Sequence, residues 1–149
     1  MQKLILLFGF IYVSLMSGVY AADIKTIKCL FNKPGISAEW NDQGEFASKA
    51  SGFIWNNQYV SVIFDNINKD KNIARIIGDN GGADVYVIET SQSLSFLEIT
   101  LSGNQILTSI FINNPFKDGS FPVVMSRHVS IINPIVSQYY GTCVNQTIN

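Results

Sequence analysis

The chain has 149 residues, 47% of them hydrophobic and 14% charged, with ten lysines and arginines against eleven aspartates and glutamates. That length supports one domain with a real core. A near-neutral balance without any basic block argues against nucleic acid, and against an anionic membrane surface, as a partner.

Residues 1–21 read as a signal peptide. Lys3 supplies a short positive start, Leu4 to Tyr20 is an apolar run, and Val19-Tyr20-Ala21 places small residues at the −3 and −1 positions of a cleavage site. The run is at the low edge of what spans a bilayer, so cleavage after Ala21 is expected, with no membrane span left in the mature chain. Residues 22–149 (149 − 21 = 128 residues) then form one domain of net charge −2, since the loss of Lys3 leaves nine basic and eleven acidic side chains. The expected location is the periplasm or the extracellular space. Cys29 and Cys143 are the two cysteines of the chain, and an exported protein permits their disulfide. The bond would tie the first strand to the last across 143 − 29 = 114 positions.

In chain order, Ile24–Phe31 reads as a first strand carrying Cys29, and Asn32-Lys33-Pro34-Gly35 as a turn, because proline presets φ and glycine accepts positive φ. Ile36–Phe46 contains Trp40 and a hairpin break at Asn41-Asp42-Gln43-Gly44. Ala47–Gly52 is small and polar, and reads as a loop. Tyr59–Ile67 alternates, with Val60, Val62 and Phe64 on one face. The turn Asn68–Lys71 leads into Asn72–Gly78, where Ile73, Arg75 and Ile77 share a face, and Asp79-Asn80-Gly81-Gly82 is a strong hairpin signal. Strands follow at Val85–Thr90, Leu94–Leu101 and Ile106–Ile112, then a connection at Asn113–Gly119, a strand at Phe121–Ile132 and a last short strand at Ile135–Cys143.

Turns recur every 8–12 residues or so with no run at helical period, which predicts an all-β antiparallel meander of about eight strands, closed as a barrel or folded as a sandwich. Several strands are apolar on both faces, as at Ile76-Ile77, at Phe96 beside Leu97 and Ile99, and at Ile110-Phe111-Ile112. Closure, a second packed sheet or an apolar cavity would each account for that excess.

The Phe121 strand sorts Phe121, Val123, Met125, Arg127, Val129 and Ile131 onto the core face, and His128 among serines onto the other. Arg127 is therefore a permanent cation on an apolar face. It needs a carboxylate, an open barrel end or the face of Trp40 or Trp55, and it is the candidate barrel-closing or ligand-binding residue. Tyr139 and Tyr140, next to a glycine and a cysteine, form a candidate contact edge. His128 has Ser126 and Ser130 at i±2 but no orienting acid, so it reads as a surface histidine and not a catalytic one.

No site for a metal or other cofactor is expected. The alternating oxygens of Asn66, Asn68, Asp70 and Asn72 fail as a calcium loop, because Lys71 and Ile77 stand where glycine and glutamate are needed. Glu89 and Glu98 fall in adjacent strands without specifying a carboxylate pair.

The words Ser126-Arg127-His128 and Ser137-Gln138-Tyr139-Tyr140-Gly141-Thr142-Cys143, with the signal peptide, resemble those of small exported, periplasmic bacterial proteins, a resemblance that implies no activity. In architecture the meander is similar to the lipocalin-like (calycin) barrels, although Gly52 and Trp55 are spaced unlike their Gly-x-Trp. It also resembles the disulfide-tied barrels of periplasmic lysozyme inhibitors. The expected function is non-enzymatic: a barrel that binds a small apolar ligand or an envelope protein. The alternative is an inhibitor or accessory protein of an envelope enzyme, acting through loops such as Asp79–Gly82 or Asn113–Gly119, and a hydrolase using His128 ranks last. Oligomeric state is left open.

Overall fold

A computed structural model of the chain describes residues 23–40, 43–51, 60–130 and 133–146; the stretch expected as a signal peptide and Trp55 lie outside these. The described residues contain nine antiparallel strands: β1 (Ile27–Trp40), β2 (Phe46–Ser51), β3 (Val60–Asn68), β4 (Ile73–Gly78), β5 (Gly81–Glu89), β6 (Leu94–Ile99), β7 (Gln105–Ile110), β8 (Phe121–Ser130) and β9 (Pro134–Asn145). From β3 to β9 each strand pairs with the next in sequence, and β9 and β3 both pair with β1. Eight strands thus close an up-and-down barrel, which leaves no free edge along most of its wall. β2 stands outside that count. It pairs with Gly35–Trp40 of β1, beyond the point where β3 begins opposite Phe31.

The period-2 pattern decides which side chains enter. Ile27, Cys29, Phe31, Val62, Phe64, Ala74, Val85, Val87, Leu94, Phe96, Ile110, Val123 and Met125 form one buried interior. Phe64 and Phe96 stack across it with ring centroids 3.9 Å apart. Ile24 closes the end at which β1 starts: it is buried, Ile67 N–H donates to the carbonyl of Lys25, and Thr26 Oγ1 donates to Asp65 Oδ1 at 2.6 Å. Cys29 and Cys143 face each other directly in the β1–β9 ladder and are joined by a disulfide, both fully buried.

Two expectations from the sequence are corrected. Asn32–Gly35 is not a turn, because β1 runs straight through it. The ladder with β9 shifts register between Leu30 and Lys33 and again between Lys33 and Ile36, so Pro34 and Gly35 lie where the pairing is irregular. Bulges and strand edges are where a residue lacking an N–H does least harm. Opposite this irregularity, Gly141 of β9 lies so close to β1 that a methyl group there would overlap the Leu30 carbonyl and sit 2.8 Å from Phe31 Cα. Ala47–Ser51 is not a loop, since β2 pairs residue for residue with β1 from Trp40↔Phe46 to Gly35↔Ser51. Backbone pairing along the exposed edge of β1 outweighs the weak strand preference of these small side chains.

The apolar excess has a plain outcome. A closed barrel has one inner face, so the surplus lies outside. Ile73, Tyr86, Leu97 and Leu107 pair in a row across the outer faces of β4 to β7, and Ile73, Tyr86 and Leu107 are exposed, as is Ile99 nearby.

The asparagines at the end of β3 and in the β3–β4 connection serve the backbone there. Asn66 and Asn72 hold φ of 51° and 55°, a region asparagine tolerates better than most residues, and Asn68 Oδ1 accepts the N–H of Lys71 at 2.9 Å.

Candidate functional site

The two ends of the barrel differ in side-chain volume. At the closed end the inward positions are Ile27, Ile67, Leu94 and Ile110. At the other end, β4 finishes on Gly78 and β5 starts with Gly81-Gly82-Ala83, so this hairpin brings almost no side chain to the inner face. The result is an open chamber of about 400 Å³ lined by Val60, Val62, Ile76, Ala83, Ile106 and Met125, with Glu98 among them and the Asp79–Gly82 turn on its rim. The Phe64–Phe96 stack lies one inward position deeper, since Phe64 follows Val62 and Phe96 precedes Glu98 by two residues on the same strand faces. A concave, mainly apolar site with a few polar groups is the usual form of a small-molecule pocket, and 300–1,000 Å³ or so is its usual size.

The strand register places a polar row at this mouth. Glu98 of β6 pairs with Ile106 of β7, Ile106 with Arg127 of β8, Arg127 with Ser137 of β9, and Ser137 with Ser37 of β1. The Ser37 and Ser137 hydroxyls are hydrogen-bonded at 2.6 Å. One step deeper, the row Phe96, Thr108, Met125, Tyr139 is buried throughout. Going inward, the exposed Arg127 and half-buried Glu98 thus give way to buried side chains over a single residue repeat. Glu98 is half-buried, and among the described residues its carboxylate makes neither a hydrogen bond nor an ion pair.

The residues singled out from sequence take the following places. Arg127 has the inward register, as its neighbours Val123 and Met125 do, but it is exposed. It stands at the open end, where water solvates the guanidinium, and the need for a buried partner lapses. Trp40 does not supply one: half exposed at the end of β1, it packs on Phe46 across the hairpin, ring centroids 5.3 Å apart. Trp55 lies outside the described residues. The two tyrosines separate, as successive strand residues must. Tyr139 enters the core and is buried, while Tyr140 faces out and its hydroxyl donates to Gln138 Oε1 at 3.0 Å. They therefore do not form one contact edge.

His128 is exposed on the outer wall, beside a shallow groove of about 260 Å³ lined also by Gln105, Val129, Ile135 and Val136. No carboxylate lines that groove among the described residues. Glu89 and Glu98 sit at opposite ends of the barrel: Glu89 adjoins the β5–β6 turn, where it pairs with Lys69 at 2.6 Å. Among the described residues no cluster of histidine, cysteine and carboxylate side chains could hold a metal ion.

Glu98 as a mouth residue, and the place of the chamber, were not singled out from the sequence, which offered an apolar cavity as one of three accounts of the apolar excess. The signal was present in the shared face of Leu94, Phe96 and Glu98, where a carboxylate follows two core residues at strand spacing.

Asp65 and Asp118 are depressed carboxylates that lie away from the chamber. Asp65 is held below the usual carboxylate range first by the Thr26 hydroxyl and then by the Asn66 N–H. Asp118, in the β7–β8 connection, is lowered by the Ser120 hydroxyl at 2.7 Å and the Ser120 N–H at 3.0 Å. Both are built into turns and chain closures. Among the described residues no helix is long and apolar enough to cross a membrane. Comparison with protein families, with curated proteins and with solved structures finds no match to this chain.

Proposed function

We propose that the mature chain is an exported, periplasmic or secreted, non-enzymatic protein that holds a small apolar ligand in the open chamber of its barrel. The observation that carries this reading is the chamber: about 400 Å³ walled by Val60, Val62, Ile76, Ile106 and Met125, open to solvent beside Glu98 and the Asp79–Gly82 turn. Its floor is the buried Phe64–Phe96 stack, and a site formed before a ligand arrives loses little conformational entropy on binding. The buried disulfide supports extracytoplasmic residence, because such bonds persist in oxidising compartments.

Gly78 provides the test. A Cβ at this position would meet only Val62 Cγ1, at 3.9 Å, so larger side chains grow into the chamber without touching the wall's backbone. Titration calorimetry with octan-1-ol should show saturable binding to the wild type and none to Gly78→Leu. Absence of binding to the wild type would refute the reading.

A second reading, an inhibitor or accessory protein of an envelope enzyme, draws on the β7–β8 connection. Phe116 is half exposed there, yet its backbone is fixed: Phe116 N–H donates to the Ser120 carbonyl at 2.8 Å, and Gly119 N–H to that of Phe116 at 2.9 Å. An aromatic side chain on an ordered projecting loop suits a partner's pocket. Inhibition of a lysozyme or protease that is lost in Phe116→Ala and kept in Gly78→Leu would favour it.

A further inference from the structure

We infer that the chamber takes a cationic amphiphile, a short apolar body carrying an ammonium group, with Glu98 as the headgroup partner; this rests on the chamber being a ligand site at all. Glu98 is the charged side chain set among the apolar wall residues, and among the described residues its carboxylate has no partner. Asp79 adds a second acid on the rim, and no lysine or arginine lines the space.

The nearby cations are turned to other surroundings. Arg75 lies across Gly82 on the outer face and reaches toward Asp84 at 3.8 Å. Arg127, two strands from Glu98 in the same row, is exposed to water. A half-buried carboxylate next to hydrocarbon gains more from a ligand ammonium than a fully solvated one would, since local screening is weaker. The ligand's apolar body would displace water from Val62, Ile106 and Met125 while its head stays beside Glu98. At ~30 Å³ per water-sized group, the space holds about a dozen non-hydrogen atoms.

The test compares octylammonium, octan-1-ol and octanoate, of matched length, by calorimetry at neutral pH and low salt. Octylammonium should bind wild type about tenfold or more tighter than octanol, with octanoate weakest. Glu98→Gln should bring octylammonium to within about threefold of octanol and leave octanol unchanged. Because Glu98 is half-buried at the barrel mouth, this variant should melt as the wild type does. Asp79→Asn, on the rim, serves as the second variant and should weaken octylammonium by a smaller factor.

Equal binding of alcohol and ammonium by the wild type, or octanoate binding best, overturns the inference and leaves the chamber as an apolar site. An unchanged octylammonium affinity in Glu98→Gln also overturns it. If none of the three binds, the chamber is not a ligand site and both readings fall.

Discussion

Gly141 gives the sharpest check on how the barrel closes. It sits in β9 opposite the irregular part of β1, and a Cβ added there overlaps the Leu30 carbonyl and comes to 2.8 Å from both Leu30 C and Phe31 Cα. Ordinary van der Waals contact starts near 3.4 Å, so β1 or β9 must move by more than half an ångström. The obstruction is backbone, so no rotamer change relieves it. Nor can the strands part freely, because Cys29 and Cys143, one and two residues away along the two strands, are covalently joined. Overpacking of this kind costs roughly 1–3 kcal/mol and more when backbone must shift. We expect Gly141→Ala to lose about 3 kcal/mol, near 10 °C in Tm for a domain of this size at roughly 3–4 °C per kcal/mol. Urea unfolding followed by far-UV circular dichroism measures the loss. Amide exchange should quicken first at the β1–β9 ladder. Gly78→Ala is the control. The same added atom meets only a methyl group at 3.9 Å, so it should be neutral or stabilise by about 0.5 kcal/mol. If Gly141→Ala melts within 2 °C or so of the wild type, the close approach of β1 to β9 is wrong.

Reduction of the disulfide, which spans 114 positions, should lower unfolding stability by up to about 4.8 kcal/mol on the chain-entropy relation. Unchanged urea midpoints with and without reductant would exclude a structural role for the bond. Acid should destabilise the barrel through Asp65 and Asp118. Both are lowered in the folded state, so their contribution is complete above the unfolded value of about 3.9 and is lost as pH falls through the folded value. A Thr26→Val, Ser120→Ala double variant should therefore be less stable at neutral pH and show a shallower loss below about pH 4. A curve parallel to that of the wild type between pH 5 and 2.5 or so would refute this.

What could be read in the sequence was what depends on near neighbours. Asp79–Gly82 specifies its hairpin through φ, since Gly81 sits at 112° where other residues are strained. The alternation of Phe121–Val129 gives the two faces of β8, and two cysteines leave one pairing. What could not be read was height along the barrel axis. Alternation assigns Met125 and Arg127 to the same face, yet one is buried and the other exposed, because strand stagger determines which inward positions lie below the mouth. Nor does local chemistry show a strand passing through Pro34-Gly35, whose usual turn preference gives way to a ladder with β9 more than a hundred residues later. The place of the chamber was hidden for the same reason. Gly78, Gly81 and Ala83 mark a turn when taken alone, and a space only when Val62, Ile106 and Met125, from three other strands, stand around them. Turn residues at one end of a closed barrel thus carry two consequences at once. The glycines that reverse the chain are those that leave its mouth unfilled, so the shape of the chamber is set by the hairpin as much as by the wall.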